Sequence, residues 1–308
     1  MSAIAAPTAI SAIPFVRNFD PAYGTLAEVS PLIRRLVAPN KSAFTAWGSG
    51  TYVVGRGEVA VIDPGPDDAA HIDTLLARLG GERISHIVVT HTHLDHSPGA
   101  RLLQARLLAA GAPVPPIVGC GPHARLGPND EPVEEGGDFE HRPDTELHDG
   151  DAITGTGWTL TAVHTPGHTS NHLCYALAEE RALFSGDHVM GWSTTVVSPP
   201  DGDMAHYIGS CRKLLARADQ VLYPTHGAPI TAPHAFITQL IAHRLAREDQ
   251  IVACVRDGLD DIPAMVARLY ADVDVGLHRA AARSVQAHLI ALENEGRVAQ
   301  AAGRYRVA

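Results

Sequence analysis

The chain has 308 residues, 45% of them apolar and 19% charged, which is enough to bury a large core in one or two domains and excludes a disordered chain. Its net charge of −10 lies wholly before Ala235, because nine basic residues balance nine acidic ones from there to the end. Polyanions are gripped through basic patches, so strong nucleic-acid affinity is disfavoured, although a local basic groove is still allowed.

The N-terminal stretch has no basic region and is interrupted by Pro7 and Pro14, so no secretory leader is expected. No run approaches the roughly 18 apolar residues of a membrane-spanning helix. Cys120, Cys174, Cys211 and Cys254 form no C-x-x-C pair and read as buried thiols in a reducing, cytoplasmic compartment. The 18 histidines are many for this length, and histidine is the commonest side-chain metal ligand.

Residues 51–54 and 59–62 read as strands joined by a Gly-Arg-Gly turn, the second ending in Asp63-Pro64-Gly65. Ile72, Leu75, Leu76 and Leu79 fall at helical spacing before the stop at Gly80-Gly81. The apolar run "ISHIVVT" predicts a strand buried on both faces. "HTHLDHSPGA" follows it, with Ser97 as N-cap and Pro98 at the first position of a helix that runs to Gly111. "PVPPIVGC" reads as a further strand, and the acidic stretch 129–151, which has no period, as a loop excursion. Strand-like residues then precede three polar turns, which deliver His168, Asp187 and His226. Short strands with intervening helices predict an α/β architecture whose site is gathered at strand ends.

From Pro233 the pattern becomes helical. "HAFITQLIAHRLAREDQIVACVRDG", "IPAMVARLYA" and "LHRAAARSVQAHLIALENEG" each carry an apolar stripe, and "RVAQAAGRYRVA" closes the chain as a hairpin. Three helices and a small hairpin follow the order of a winged helix. The expected division is a catalytic unit over 1–232 and a helical, winged-helix-like unit over 233–308.

In an extended segment, residues two apart point the same way, so His91 and His93 can converge on one ion, while Asp95 and His96, past the turn, can face a second. Four ligand-type side chains about one turn repel each other or waste burial unless a cation organises them. Neighbouring residues carry less. His172 and His188 read as groups beside the ligands, and Ser193, Thr194 and Thr195 as exposed turn residues at the pocket mouth. His71, His86, His123, His141 and His234 read as surface or packing residues.

"HTHLDH", "TPGHTSNH", "FSGDHVMG" and "YPTHG", in that order, resemble the metallo-β-lactamase superfamily. The resemblance spans about residues 51–229 and implies an αββα sandwich with two metal ions. It assigns His91, His93 and His168 to one ion, and Asp95, His96 and His226 to the other. Asp187 would bridge them, and Asp63 would orient a ligand histidine. Such nitrogen and carboxylate donors suit two Zn²⁺, and iron or manganese fit the same set. Each ion keeps room for a bridging hydroxide, which implies hydrolysis, with Asp95 catalytic as well as a ligand, orienting that hydroxide and passing on its proton.

The superfamily's β-lactamases place Cys or Ser where this chain has Asp187, so a dedicated lactamase is disfavoured. "AHRLAREDQI" with the tail after it resembles the β-lactamase-like protein 2 branch, which includes single-strand endoribonucleases and enzymes that release acyl groups from carrier proteins. The favoured reading is hydrolysis of an ester, thioester or lactone of a small molecule or acyl carrier. The alternative is an endoribonuclease whose tail grips RNA through Arg279, Arg283, Arg297, Arg304 and Arg306. The tail can equally serve as a lid or as the interface of a homodimer, since fold does not fix function.

Overall fold

In the computed structural model, which describes residues 13–122 and 136–308, the strands of the first sheet lie side by side in chain order. They are β1 (Ala27–Glu28), β2 (Ile33–Val37), β3 (Gly50–Arg56), β4 (Glu58–Ile62), β5 (Arg83–Val89), β6 (Ile117–Gly119) and β7 (Thr145–Glu146). The first four pair antiparallel and the rest parallel. The parallel half needs crossovers, which α1 (Ala69–Leu79) and α2 (Pro98–Ala109) supply. As its apolar run predicts, β5 is central, and Ile87, Val88 and Val89 are fully buried.

The second sheet has the order β12-β11-β10-β9-β8, from β8 (Ala152–Gly155), β9 (Trp158–His164), β10 (Leu173–Leu177), β11 (Ala182–Gly186) and β12 (Val221–Pro224). Alternation along β10 sorts its side chains between two layers. Leu173, Tyr175 and Leu177 pack with the first sheet, α1 and α2, whereas Cys174 and Ala176 face α3 (Met204–Leu215). Helices therefore cover both outer faces of two packed sheets.

Beyond them come α4 (Pro233–Arg256), α5 (Ile262–Leu269), α6 (His278–Asn294) and a hairpin of β13 (Val298–Ala301) and β14 (Arg304–Val307). α4 begins at the expected division yet serves both sides of it. Phe236, Ile237 and Leu240 pack against α3, while Ile251, Val252 and Val255 join a separate core with α5 and α6.

Two expectations change. Ser97 does sit at the N-cap of α2, but its hydroxyl makes no cap bond and donates to Asp138 Oδ2 at 2.8 Å. The acidic stretch, from residue 136 onward, is no excursion: Asp138 N–H donates to the Thr92 carbonyl at 2.7 Å, and Thr145–Glu146 forms the edge strand. His123 and residues 129–135 lie outside the described residues.

Trp158 fills the space between the sheets at 1% exposure, with its indole N–H donating to the Glu58 carbonyl at 3.1 Å. A Cβ on Gly55 or Gly155 would stand 2.5 or 2.2 Å from that ring. Trp158→Ala is expected to cost about 3–5 kcal/mol, read from denaturant unfolding.

Candidate metal centre

Five strand C-termini meet along one edge of the sandwich and deliver the polar side chains together. β4 ends at Asp63, β5 at the segment His91–His96, β9 leads to His168, β11 to Asp187 and β12 to His226. The structure brings together all seven side chains singled out from the motifs. His91, His93 and His168 offer ring nitrogens within 4.8 Å of one another, as do the donors of Asp95, His96 and His226. Asp187 stands between the groups, with Oδ2 3.3 Å from His226 Nε2, 3.5 Å from His96 Nε2 and 3.9 Å from His168 Nε2.

The hydrogen-bond network decides which nitrogen of each histidine is available. His96 Nδ1–H donates to Asp63 Oδ2 at 2.9 Å, His168 Nδ1–H to the Val196 carbonyl at 2.7 Å, and His226 Nδ1–H to the Gly48 carbonyl at 3.1 Å. Thr90 Oγ1 donates to Asp63 at 2.7 Å, so it can only accept from His91 Nδ1, 3.1 Å away. Four rings thus turn Nε2 into the same small volume, the arrangement that orients metal-binding imidazoles.

Asp63 holds this arrangement from beneath. Its φ of +46° lies in the left-handed region, a strained setting for a residue with a side chain. Its carboxylate accepts from Thr90 N–H and Oγ1–H, from Thr225 Oγ1–H at 3.1 Å and from His96. Gly186, before Asp187, has φ +51°, and a Cβ there would lie 2.5 Å from His172 Nε2. That nitrogen accepts the Asp187 backbone N–H, while His172 Nδ1 donates to Thr165 Oγ1 at 2.8 Å. His172 thus supports Asp187 from behind. His188 packs at a tilt against Tyr207, with ring centres 4.7 Å apart.

The electrostatics call for positive charge. Burial opposes charge on Asp95 and Asp187, yet the histidines around them hold both carboxyls well below the usual range. Burial likewise opposes a proton on His96 and His226. The same two carboxylates overcome it, raising His96 well above its ordinary value and His226 to about 10. Burial, reinforced by neighbouring imidazoles, pushes His91 and His93 well below theirs. Without a cation the site must recruit protons to neutralise its acids, and still leaves His96 Nε2 and Asp187 Oδ1 buried without partners. Divalent ions satisfy both demands at once, so the donor set fits them.

Above the cluster opens a cleft of about 240 Å³, with Asp95, Asp187, His93, His168 and His226 in its lining and Phe44, Leu94, Met190 and Val196 as apolar walls. Asp95 is the most exposed carboxylate of the three, its side chain 21% accessible, and it accepts from Ser49 Oγ at 2.8 Å.

Sequence reasoning passed over several supports. Thr90 and Thr225 each stand directly before a ligand-type histidine at a strand end, so the repeated Thr-His pair was a usable signal for the hydroxyls on Asp63. Ser49 and Gly48 had no such signal. Thr195, read as an exposed turn residue, is 2% exposed, and its hydroxyl donates to the Asp187 carbonyl at 2.7 Å. Ser193 and Thr194 are half-buried. Among the packing histidines, His71 and His141 are buried, His86 lies edge-on to Trp158, and His234 is exposed.

Residues 45–226 match the Metallo-beta-lactamase superfamily, and residues 262–305 the Beta-lactamase associated winged helix domain. An atrochrysone carboxyl ACP thioesterase of Paecilomyces divaricatus is 33% identical over 231 residues, 74% of this chain and 66% of its own length. Its namesake in Aspergillus aculeatus is 31% identical over 233 residues, 75% of this chain and 67% of its own. The chain thus spans about two thirds of the length of these curated relatives. A Beta-lactamase domain protein from Burkholderia ambifaria superposes with a TM-score of 0.75 over 95% of this chain and 96% of its own, at 21% identity, a likeness of fold.

Two predictions follow from the geometry. Asp63→Asn keeps the volume but loses a carboxylate oxygen, and is expected to weaken divalent-ion binding about 10–100-fold in a chelator competition. Because His226 is protonated below about pH 10 in the metal-free protein and must lose that proton to bind, ion uptake should release protons. Affinity should then rise with pH towards 10, and calorimetry in buffers of different ionisation enthalpy reads the proton count.

Proposed function

The chain belongs to the metallo-β-lactamase superfamily and carries its αββα sandwich with a C-terminal winged-helix domain, and on that premise we propose that it is a binuclear metal-dependent thioesterase acting on an acyl carrier. The observation that carries the reading is the convergence of seven buried or half-buried donors under an apolar-walled cleft. The relatives' names suggest the substrate class, since both are named as atrochrysone carboxyl ACP thioesterases.

His91, His93 and His168 would hold one ion, Asp95, His96 and His226 the other, and Asp187 would bridge them. Zn²⁺ is the ion best suited to this donor set. Divalent ions held there would supply a water of lowered pKa, towards about 7, and a Lewis acid for the acyl carbonyl. Asp95, facing the cleft, takes the proton of the attacking water and hands it to the departing thiol sulfur, giving a carboxylic acid and a free thiol. Ser49 fixes the rotamer of Asp95 by donating to Oδ2. Phe44, Leu94, Met190 and Val196 seat the apolar part of the acyl group and thin the water around the scissile bond. The catalytic unit is taken as residues 1–232.

RNA cleavage is the weaker reading. Arg297 already pairs with Glu248, Asp249 and Glu295, and Arg304 with Asp260 and Asp261, so these two are engaged by neighbouring acids. The four cysteines are free and buried, which supports a reducing, cytoplasmic compartment. No helix among the described residues is long and apolar enough to cross a membrane.

The test is a side-by-side turnover panel on zinc-loaded protein: acyl-carrier thioesters, lactones, aryl esters, a β-lactam and single-stranded RNA. Thioesters should turn over fastest; rapid RNA cleavage with inert acyl substrates would reverse the assignment. Asp187→Ala and His168→Ala should each lower kcat/KM by more than about 100-fold, since even the outer partners of metal ligands are worth 10–100-fold.

A further inference from the structure

Arg244 lies on α4, in the "AHRLAREDQI" segment, and is 3% exposed although its side chain is always charged. Its guanidinium does not reach for a carboxylate of the helix. It donates to the carbonyl of Thr195 and lies over the ring of Tyr207, 5.0 Å from the centroid. A buried arginine aimed at one backbone carbonyl is costly to desolvate, so the position it fixes calls for an explanation.

That position lies in the segment after β11. The Thr195 hydroxyl donates to the Asp187 carbonyl at 2.7 Å and to that of His188 at 3.1 Å, closing the segment on itself. The next carbonyl, that of Val196, accepts the Nδ1–H of His168. One short stretch therefore sets the backbone of Asp187 and the tautomer and tilt of His168. Tyr207 ties in the remaining side: its ring lies tilted against His188, and a Cβ on Gly167, beside His168, would stand 2.3 Å from its Cα.

We infer that Arg244 is a positioning residue of the metal centre, through which α4 clamps the segment that presents Asp187 and orients His168. It touches none of the seven donors and acts through Thr195, Val196 and Tyr207. The inference rests on the metal-binding reading above. It also accounts for a helix that joins the sandwich to the terminal core: the tail's anchor and the clamp on the site are the same element.

The test uses the full-length chain and reads metal binding rather than turnover. Arg244→Met keeps the apolar stem and removes the donor. Thr195→Val removes one hydroxyl at nearly constant volume. Arg247→Gln serves as the charge-loss control on the same helix, because Arg247 donates to the Leu269 carbonyl and lies over Tyr270, away from the site. Chelator competition measures Zn²⁺ affinity, and the visible absorption of the Co²⁺-loaded protein reports ligand geometry.

Arg244→Met and Thr195→Val are expected to lose about 10-fold or more in affinity and to shift the Co²⁺ spectrum. Arg244→Lys, which can still donate to the Thr195 carbonyl, should recover part of the loss, and Arg247→Gln should match the wild type. If Arg244→Met does not fold, Arg244→Lys carries the test, with a Zn²⁺ affinity below that of the wild type as the expected result. Folded variants that bind Zn²⁺ as the wild type does, with an unchanged spectrum, overturn this inference alone. A wild-type protein that takes up no ion overturns the metal reading and this inference with it.

Discussion

A single buried carboxylate, Asp63, is the constraint on which the site depends. It sits at the end of β4 in a left-handed conformation and receives four hydrogen bonds from three directions. Through Thr90 it locks the end of β5, through Thr225 the end of β12, and through His96 the mouth of α2. The partners come from both sheets, so the carboxylate joins the two layers and aligns the donors above it. An apolar side chain would leave those buried N–H and O–H groups unsatisfied, at about 1–3 kcal/mol each.

Around that anchor, four of the five histidines are oriented by an acceptor outside the cluster: a carboxylate, two backbone carbonyls and a hydroxyl already committed as a donor. The fold thus fixes the direction of the lone pairs before any ion arrives, leaving little reorganisation for the moment of binding. Two carboxylates among the imidazoles make the cavity a place that calls for positive charge, which in the metal-free protein is met by protons on His96 and His226. Placing this set at strand C-termini lets rigid sheets determine the spacing while the loops shape the cleft.

How much of this was legible depended on range. β5 and the helix after it announce themselves by apolar period and by Ser97-Pro98, because those signals are local. The seven side chains were readable because the motifs that carry them lie at or shortly past the ends of strand-like runs, a local signal, and because those motifs in that order resemble a known family. The supports were not readable in the same way. Ser49, Gly48 and Val196 act through positions that only the closed sandwich brings near, and a carbonyl leaves no mark on residue type. Arg244 was visible within a motif, but its target lies 49 residues away in the chain. Ser97 shows the opposite error: the local rule named the cap position correctly, and a distant buried Asp138 then claimed the hydroxyl.

The double duty of α4 bears on how the molecule holds together. Its 24 residues run about 36 Å, long enough to be a wall of two cores at once. Ala287 and Ala291 of α6 reach into the sandwich side as well. A cut at the start of α4 would strip Phe236, Ile237 and Leu240 from α3, and a cut at its end would bare Ile251 and Val255. The two halves therefore share a helix whose apolar side chains line both cores, and the interface between them is part of the core of each.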